Sequence, residues 1–356
     1  MMRHLECAKW IEIDLKAIHH NIRWLRRRLA GATRWLAVVK ANAYGHGAVA
    51  ISRLAMKEGA CGLGVLTVEE ALELRSSGIR APIILLAPPL PAQAPLVARE
   101  HLEATVDSPW LLAALNRAAR TPIRVHLDID FGLRRWGLAP KRLPDFLRII
   151  KKTKGLRLAG LSTHIDYVPG RNAVEAETKL RSFQRLAVSA RRDNPNLICH
   201  AANSSILLDF PRRQMDMARI GNILYGINPT DAEVPLRNAW RFYARIISLT
   251  RIGKGRAIGY ASEFIAPKHM AIAALPAGYA DGLTMEPAQR LIGFGGNFQY
   301  WGILRGRKTP FVGRCSISHV LLDVGRVPDA RVGDAVLLPV RRTAATARLP
   351  RVYING

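Results

Sequence analysis

A lysine ends an apolar run near the start of the chain, and its position gives it a chemical use. Trp35–Lys40 is a short apolar run that predicts a strand, and Lys40 is its last residue. A lysine amine buried at such a strand end has a lowered pKa, so the neutral amine becomes available to form a Schiff base or to transfer a proton. From position alone, a strand-end lysine that extends to solvent explains the residue equally well.

Further apolar runs follow over the next two hundred residues, and they predict the frame that holds Lys40. Segments with helical periodicity, such as Ala173–Arg191, lie between most of them. Eight such strands predict an α/β fold, a (β/α)8 TIM-type barrel, with a doubly wound open sheet as the alternative. No Gly-x-Gly-x-x-Gly follows any strand, which disfavours a dinucleotide-binding sheet. The predicted strands are Trp35–Lys40, Cys61–Leu66, Pro82–Ala87, Leu102–Val106, Ile123–Asp128, Leu158–His164, Leu197–Ala201 and Met217–Gly221.

The pattern changes after about Pro235. Short strands separated by glycine and proline replace the periodic helices, which predicts a second, mostly β C-terminal domain that the N-terminal strand Trp10–Asp14 joins. The predicted division is residues 12–235 for the barrel, and residues 1–11 with 236–356 for the β domain. The predicted strands of that domain are Phe242–Ile252, His269–Leu275, Val320–Val324 and Ala335–Pro339.

Composition narrows the function classes. The 356 residues are 49% hydrophobic and 22% charged, as in a soluble globular protein. No uncharged apolar run reaches the ~18 residues of a membrane span, and we expect no signal peptide because the first ten residues lack an apolar core. Cys7, Cys61, Cys199 and Cys315 are scattered without Cys-x-x-Cys spacing. This disfavours a disulfide framework and a metal site, and it favours the cytoplasm.

The formal net charge of +26 is high and comes mainly from 41 arginines. Such a field attracts nucleic acid and other polyanions. However, the arginines are spread along the chain, and no aromatic-rich basic motif of a nucleic-acid-binding module is present. We interpret the charge as an arginine-rich bias in composition, and we expect neither specific nucleic-acid binding nor a membrane partner.

The residues after Lys40 carry a specific resemblance. Lys40 opens the contiguous segment Lys-Ala-Asn-Ala-Tyr-Gly-His-Gly. This segment resembles the cofactor-lysine signature of the alanine racemases, which use pyridoxal 5'-phosphate and combine a barrel with a β domain. The resemblance covers nearly the whole chain. It implies that Lys40 holds the cofactor covalently and, once substrate displaces it, acts as one of two catalytic bases.

A buried cofactor phosphate needs hydrogen-bond donors, and in barrels the loops after the last two strands commonly supply them. The segments after the last two predicted strands contain asparagine, serine and glycine, and glycine allows close backbone approach. By resemblance, the phosphate contacts are the hydroxyls of Tyr44 and Ser204 and the backbone of Gly221 and Asn222, with Asn203 as a further cofactor-binding residue.

The resemblance places Arg219 against the pyridine nitrogen of the cofactor. Arginine is a permanently charged donor, so it keeps that nitrogen unprotonated. The ring is then a weaker electron sink, which suits racemisation and disfavours transamination; related basic-amino-acid decarboxylases carry a carboxylate there. The resemblance also implies that His164 contacts the catalytic tyrosine and links through His200 to Arg219. Such a chain would place positive charge near the phenol and lower its pKa. Taken alone, these residues could also be a surface ion pair and satisfied core histidines.

Arg135 lies in Asp-Phe-Gly-Leu-Arg-Arg-Trp-Gly, where the family pattern is Asp-Thr-Gly-Met-Gly-Arg-Leu-Gly. By resemblance it lies near the cofactor phenolate and binds the substrate carboxylate. Arg134 replaces a glycine of that pattern, which predicts an altered loop. Asp128 stands where many relatives carry a carboxylated lysine, so we predict an Asp128–Arg135 ion pair with its charged groups within ~4 Å.

The second base is expected from the β domain. Tyr260 in Gly-Tyr-Ala-Ser-Glu-Phe matches the tyrosine of the family segment Ser-Tyr-Gly-x-Thr-Phe. In the family this tyrosine enters the partner subunit's site, so the resemblance implies a homodimer with shared active sites. Gly259, Ala261 and Glu263 depart from the pattern, so the surroundings of the phenol differ. A packed β-domain tyrosine is the alternative interpretation.

Further matches and departures lie towards the C-terminus. Tyr279 and Arg314 match the substrate access corridor. Ile317 replaces a methionine whose backbone binds the substrate carboxylate, a role that any residue's backbone could keep. Ser318 replaces an aspartate that orders the site, and Ala347 replaces a phosphate-touching tyrosine. The loss of that tyrosine predicts a wider pocket and weaker cofactor binding.

These observations predict a racemase that interconverts L-alanine and D-alanine by two-base transfer of the α-proton, supplying D-alanine for peptidoglycan precursors. A racemase for larger or more varied amino acids is an alternative, motivated by Ser318 and Ala347. A decarboxylase of the same barrel is disfavoured by Arg219. A catalytically lapsed protein that holds the cofactor or binds polyanions is the alternative of another class, motivated by the net charge of +26 and the altered β-domain motifs.

Overall fold

The computed structural model describes residues 7–262, 264–283, 300–340, 342–343, 345 and 347–356. These residues form two compact units. Ala17–Asn238 make up the barrel unit, and the described residues up to Lys16 together with Ala239–Gly356 make up the β unit. The predicted division at residue 12 falls inside the first strand, β1 (Lys9–Asp14), all of which belongs to the β unit. Glu263, one of the departures beside Tyr260, lies outside the described residues.

Eight short strands, buried along most of their length, form the centre of the barrel unit. Their sequences are mainly apolar because parallel strands pack against side chains on both faces. All eight strands predicted from the apolar runs are present, most of them shorter by one to three residues at an end. They are β2 (Arg34–Val38), β3 (Leu63–Val65), β4 (Ile83–Leu85), β5 (Glu103–Val106), β6 (Ile123–Asp128), β7 (Leu156–Ser162), β8 (Ile198–His200) and β9 (Met217–Ile220).

The parallel sheet closes on itself. Its strand order is β8-β7-β6-β5-β4-β3-β2-β9. The two end strands are joined by backbone hydrogen bonds from Asp216 N to the Cys199 carbonyl (3.1 Å) and from Arg219 N to the Ala202 carbonyl (2.8 Å). Closure leaves no open edge and brings the carboxyl ends of all eight strands around one mouth. The predicted (β/α)8 barrel is therefore confirmed, and the open-sheet alternative is excluded.

Helices connect the strands, and local capping sets several of their ends. Thr67 and Glu70 form a reciprocal capping box at the start of α4 (Val68–Ser76). Ser108 accepts a hydrogen bond from Leu111 N at the start of α6 (Pro109–Ala118). No helix of the described residues is long and apolar enough to cross a bilayer. The helices are α1 (Leu15–Arg26), α2 (Lys40–Tyr44), α3 (Ala48–Lys57), α4 (Val68–Ser76), α5 (Ala94–Arg99), α6 (Pro109–Ala118), α7 (Leu143–Lys151), α8 (Ala173–Arg191) and α9 (Ser204–Asp209).

The β unit contains a nine-stranded sheet and a short hairpin. The predicted strand Phe242–Ile252 is two strands, because Ile246 N bonds to the Asp334 carbonyl while Ile247 N bonds to the Ala274 carbonyl. The strands after β9 are β10 (Trp240–Arg245), β11 (Ser248–Ile252), β12 (Ala257–Ile258), β13 (Phe264–Ile265), β14 (Met270–Leu275), β15 (Trp301–Leu304), β16 (Arg307–Val312), β17 (Val320–Asp323), β18 (Ala335–Leu338) and β19 (Arg351–Ile354). The sheet order is β11-β14-β17-β16-β15-β18-β10-β1-β19, and β12 pairs with β13.

Candidate active site

A cavity of about 300 Å³ lies where the carboxyl ends of the barrel strands meet. Active sites of this barrel architecture are built at that end, from residues that follow the strands. Every predicted cofactor-binding residue lines the cavity, and so do two predicted supporting residues. They are Lys40, Tyr44, Arg135, His164, Asn203, Ser204, Arg219, Gly221 and Asn222, with Asp128 and His200.

A larger cavity of about 1090 Å³ has none of these residues in its lining. It is bordered by side chains of α7, β7 and α8, together with Arg34 and Arg124. Most of its lining is aliphatic side chains and surface polar groups. The smaller cavity, where titratable groups converge, is therefore the candidate active site.

Lys40 was predicted to end the strand, but it lies two residues after the end of β2 and begins α2. The chain then turns through four consecutive left-handed residues, Ala41 to Tyr44, with φ between 50° and 55°. L-residues avoid this region at a cost of ~1–2 kcal/mol each, so neighbouring groups must hold the turn. Glu70 accepts a hydrogen bond from Ala41 N (2.6 Å), and Asn42 accepts one from Ala48 N (2.7 Å). The turn brings Lys40 and Tyr44, at the two ends of the segment, to the same cavity. This explains why the residues of the family segment are contiguous.

Burial lowers the pKa of Lys40, and the positive charge of Arg135 lowers it further, while Glu70 acts in the opposite direction. The net direction is the one predicted from the sequence. A lowered pKa makes the neutral amine available at a lower pH than for an exposed lysine. The cavity therefore favours Lys40 as a nucleophile and as a base.

Tyr44 and Gly221 meet at the side of the cavity where a phosphate is expected. A β-carbon on Gly221 would lie 2.7 Å from the Tyr44 hydroxyl, so only glycine leaves this space open. The Tyr44 ring stacks on Tyr225, with centroids 4.8 Å apart, and Tyr225 is fixed by donating to the Val38 carbonyl (2.8 Å). Sequence analysis did not identify Tyr225, which orients Tyr44 from behind.

Asn203 and Ser204 lie at the start of α9. The Asn203 side chain caps this helix by accepting a hydrogen bond from Ile206 N (3.0 Å). The cap leaves Ser204, the first residue of the helix, at the cavity wall. The Ser204 and Tyr44 hydroxyls and the open backbone at Gly221 are a set of groups that fits a phosphate.

Arg219 is buried at the end of β9 and points its guanidinium at protein acceptors. Nη1 donates to His200 Nδ1 (2.8 Å) and to the His200 carbonyl (2.6 Å), and Nη2 donates to the Thr163 carbonyl (2.7 Å). Burial lowers the pKa of Arg219 to about 10, against the raising effect of Asp128. The guanidinium therefore remains charged and donating over the working range of most enzymes.

The predicted link from His164 through His200 to Arg219 is wrong. Both ring nitrogens of His200 have other partners, since Nδ1 accepts from Arg219 and Nε2 bonds to His126 Nδ1 (2.9 Å). His164 follows Thr163, whose carbonyl contacts Arg219, so the connection runs through the backbone.

Burial also determines the protonation of His164. Burial is the main cause that lowers the pKa of His164 to about 3, and the charges of Arg219, Arg135 and Lys40 add to it. A histidine with this pKa is neutral at physiological pH. The positive charge at this end of the cavity therefore belongs to the arginines.

The predicted Asp128–Arg135 ion pair is not formed. No side-chain N–O distance of 4.0 Å or less joins these two described residues. Asp128 accepts a hydrogen bond from the Ser162 hydroxyl (2.6 Å), while the Arg135 guanidinium lies over the Trp136 ring, 3.7 Å from its centroid. An aspartate arm is too short to reach Arg135 here, and Trp136 supplies a cation–π contact in its place.

Arg134, where the family pattern has glycine, keeps a glycine-like backbone. Its φ is 56°, in the left-handed region, and its amide donates to the Asp130 carboxylate (3.2 Å). The substitution therefore leaves the turn in place and adds backbone strain.

The other predicted site residues belong to the β unit and are described there by themselves. Tyr260, the proposed second base, follows β12 in a short turn and is 59% exposed; its ring centroid lies 5.8 Å from that of His319. Ala261, in the position of the family's glycine, has a φ of 57°. The tyrosine is thus not the packed core residue of the alternative interpretation.

Two loops of the β unit, one around Tyr279 and the other around Ile317, are connected by backbone hydrogen bonds. The amides of Tyr279 and Ala280 donate to the Ser316 and Ile317 carbonyls, each at 3.0 Å. This approach requires glycine at position 278, because a β-carbon there would overlap the Ser316 carbonyl. Tyr279 and Ile317 are 54% and 57% exposed, so both present side chains outward. Arg314 lies in the second of these loops, between β16 and β17.

Two buried residues that sequence analysis missed lie below the cavity. His126 on β6 bonds to His200, and its Nε2 bonds to the Glu103 carboxylate on β5 (2.8 Å). The signal was present, because Arg124, His126 and Asp128 alternate along one strand and must share the inward face.

Comparison with known proteins identifies the family. The family model "Alanine racemase, N-terminal domain" matches residues 13–229, and "Alanine racemase, C-terminal domain" matches residues 239–349. Alanine racemase of Desulfovibrio desulfuricans is 33% identical over 97% of this chain and 98% of its own length. That of Nostoc sp. is 32% identical over 92% of this chain and 86% of its own.

Solved structures agree with the sequence comparisons. An alanine racemase structure from Clostridium difficile has a TM-score of 0.88, with 26% identity over 98% of this chain and 96% of that one. The structure from Streptomyces lavendulae has a TM-score of 0.85, with 28% identity over 98% of this chain and 97% of that one. The chain belongs to the alanine racemase family.

Proposed function

We propose that this protein is a pyridoxal-phosphate-dependent racemase that interconverts L-alanine and D-alanine. The observation that carries the proposal is one cavity that joins a half-buried lysine to a charged, buried arginine. Lys40 and Arg219 both line it, together with the Tyr44 and Gly221 pair that fits a phosphate. The names of the relatives support alanine as the amino acid.

Pyridoxal phosphate, when bound, supplies an electron-withdrawing ring that makes the α-proton of an amino acid acidic. Lys40 would hold it covalently, and Tyr44, Ser204, Gly221 and Asn222 would hold its phosphate. Asn203 positions that phosphate wall by capping α9. His164 is neutral at the cavity wall, so it adds no second charge beside the arginines.

The residues of the cavity divide the proton chemistry between them. The neutral Lys40 amine takes the α-proton from one face of the substrate in one direction of the reaction, and in the reverse direction it returns a proton to that face. Arg219 donates hydrogen bonds without releasing a proton, because its pKa of about 10 is above the working pH. Arg135, held over Trp136, supplies positive charge for the substrate carboxylate. These roles favour proton return to the α-carbon over other outcomes.

Tyr260 of one subunit acts as the second base in the active site of its homodimer partner. The support is its 59% exposure in the β unit together with the exposed Tyr279 and Ile317. A monomer that exposes these side chains leaves apolar surface that a second copy would cover. The backbone of Ile317 and the side chains of Tyr279 and Arg314 complete the substrate route in this arrangement. We place the protein in the cytoplasm, where D-alanine would serve peptidoglycan synthesis.

The test follows α-proton exchange in D₂O by NMR and enantiomer formation by chiral chromatography, with added pyridoxal phosphate. L-Alanine is compared with L-serine, L-leucine and L-lysine. We expect D-alanine as the dominant product, and Lys40→Ala should retain no cofactor after borohydride reduction. Turnover confined to the larger amino acids would move the assignment to another racemase. Cofactor binding with no exchange on any amino acid would indicate a lapsed enzyme.

A further inference from the structure

Four buried side chains form one hydrogen-bonded chain through the barrel interior, from Arg219 at the mouth to Glu103. Arg219 Nη1 lies 2.8 Å from His200 Nδ1, and His200 Nε2 lies 2.9 Å from His126 Nδ1. His126 Nε2 lies 2.8 Å from Glu103 Oε2, and the other Glu103 oxygen accepts from Arg124 Nε (2.8 Å). The four side chains come from β9, β8, β6 and β5.

The two ends of this chain fix every proton within it. Arg219 can only donate, so His200 Nδ1 must accept and the ring's proton must sit on Nε2. That proton is donated to His126 Nδ1, so the proton of His126 sits on Nε2 and is donated to Glu103. The Glu103 carboxylate can only accept, which closes the sequence. Both imidazoles are therefore neutral and in the same tautomer.

The competing arrangement places a second proton on His126 as an imidazolium paired with Glu103. His126 Nδ1–H would then donate to His200 Nε2, and the His200 proton would move to Nδ1. That N–H would face the Nη1–H of Arg219, donor against donor. The 2.8 Å separation of these two nitrogens is incompatible with that arrangement.

The backbone of β7 is shaped to allow the chain. Gly160 pairs with His126 on β6 and with Ile198 on β8, so it lies between the two strands that carry the histidines. A β-carbon at Gly160 would overlap His126 Nδ1, and the register of β6 against β7 shifts between Val125 and His126. Glycine and the bulge together let the His126 ring cross β7 to reach His200.

Charge and burial agree with the direction of the protons. Burial alone would raise the pKa of Glu103, but the hydrogen bond from His126 and the charge and hydrogen bond of Arg124 outweigh it, so the pKa is lowered. Burial and the charge of Arg219 hold the pKa of His200 well below its usual value. Glu103 is thus an ionised acceptor and His200 a neutral ring.

We propose that Glu103 and His126 are positioning residues of the racemase, which lock His200 as an acceptor and so hold Arg219 as a fixed donor toward the cofactor. The proposal rests on the proposed function for its catalytic meaning, although the proton arrangement itself does not. A fixed Arg219 disfavours delivery of the α-proton to the cofactor. In that side reaction alanine is oxidised to pyruvate, and the cofactor takes the amino group and is reduced to pyridoxamine phosphate.

The first experiment measures the proton positions directly. The full-length protein is labelled with ¹⁵N-histidine and studied by long-range ¹H–¹⁵N correlation, with and without pyridoxal phosphate; substitution of each histidine assigns its signals. We expect His126 and His200 each to carry one ring proton, on Nε2. A doubly protonated His126, or a His200 proton on Nδ1, would overturn the proposal without any variant and whether or not the protein turns over alanine.

The second experiment removes the lock and keeps the shape. In Glu103→Gln the side chain can donate as well as accept, so His126 can also place its proton on Nδ1. In that state His200 carries its proton on Nδ1, and Arg219 loses this ring nitrogen as an acceptor. We expect mixed tautomers of both histidines, and a ratio of pyruvate to D-alanine about tenfold above wild type. Gly160→Ala, which displaces the His126 ring without changing a polar group, should move both readouts in the same direction.

The matched control is Glu58→Gln, which takes a carboxylate from another histidine of the same unit, His19 (3.2 Å), away from the cavity. It should change neither readout. If Glu103→Gln lowers the melting temperature but leaves tautomers and product ratio at wild-type values, the role is structural only and the proposal fails. If tautomers shift as expected but the wild type makes no D-alanine, the proposed function fails while the proton arrangement stands.

Discussion

The barrel and the β unit hold their predicted site residues in opposite ways. In the barrel, His200 and Arg219 are buried and bonded to each other, and Lys40 directly precedes a turn that its neighbours hold. In the β unit, Tyr260, Tyr279 and Ile317 expose more than half of their surface. The barrel positions its groups with its own interior, whereas the β unit leaves its groups exposed at the surface.

Departures from the family pattern follow the same division. The contiguous segment after Lys40 is intact, and it forms a strained turn that depends on several neighbouring contacts. Most of the altered positions are exposed, such as Ala261, Ile317 and Arg134. Exposed positions tolerate change because few contacts depend on them, while a buried network loses several partners when one member changes. The predictions below test this contrast.

The largest expected effect concerns the two bases. Lys40→Ala and Tyr260→Phe should each lower racemisation by at least about 10²–10⁴-fold, because each removes a positioned base. If one site takes Lys40 from one subunit and Tyr260 from its partner, a mixed dimer of the two variants contains one intact site. Mixing equal amounts after dissociation should then restore about a quarter of wild-type activity, since about half of the dimers are mixed.

The control for that experiment is Tyr243→Phe, which removes a phenol from β10 where the ring stacks on Trp10. The variant should have wild-type turnover. When it is mixed with Lys40→Ala or with Tyr260→Phe, the activity should not exceed what its own intact residues contribute. If mixing Lys40→Ala with Tyr260→Phe restores nothing while the subunits do exchange, both bases come from one chain and the shared-site proposal is wrong.

An intermediate effect concerns the pH at which Lys40 reacts. The positive charge of Arg135 lowers the pKa of Lys40, and the negative charge of Glu70 raises it. Arg135→Gln should therefore move the midpoint of cofactor capture to higher pH, and Glu70→Gln should move it to lower pH. Borohydride trapping and mass spectrometry of the loaded apoprotein measure the midpoint. Arg142→Gln, whose guanidinium lies over Phe146, is the control and should not shift it.

A shift of Arg135→Gln and Glu70→Gln in the same direction would contradict this account of the Lys40 environment. It would mean that disruption of the turn after Lys40, rather than charge, sets the reactivity of the amine.

The smallest expected effect concerns backbone strain at exposed positions. Arg134 and Ala261 have φ values of 56° and 57°, where glycine is favoured. Arg134→Gly and Ala261→Gly should each raise the free energy of unfolding by about 0.5–1 kcal/mol, because relief of strain exceeds the added freedom of the unfolded chain. Ala119→Gly, at a φ of −70°, relieves no strain and should lower it. Urea denaturation measures the free energy of unfolding of all three variants. If all three are less stable than wild type, the backbone of Arg134 and Ala261 is not strained.

Some features followed from sequence because they depend on local pattern. The eight barrel strands were predictable, since each is an apolar run between helical segments. Ala173–Arg191 was predicted with its observed ends, because its periodicity is long and uninterrupted. The Lys40 segment was recognisable because its residues are contiguous. A left-handed turn of four residues was not predicted, since no glycine marks it and the contacts that hold it come from distant residues such as Glu70.

Other features depend on which groups meet across the sheet. The Asp128–Arg135 ion pair was a reasonable inference from charge, but Ser162 on the neighbouring strand and Trp136 supply the observed partners. The link from His164 through His200 was likewise misjudged, because His126 and Arg219 bond to the two ring nitrogens of His200.

The sequence by itself determined the order of strands and helices, the lysine that we propose for the cofactor, and the family. These depend on apolar periodicity and contiguous motifs, which are written in one dimension. Only the tertiary structure decided that Arg219, His200, His126 and Glu103 form one chain of hydrogen bonds. That chain depends on barrel closure, on a bulge in β7 and on the missing β-carbon of Gly160. Hydrogen bonds act over about 3 Å, so only the folded backbone determines which distant residues can make them.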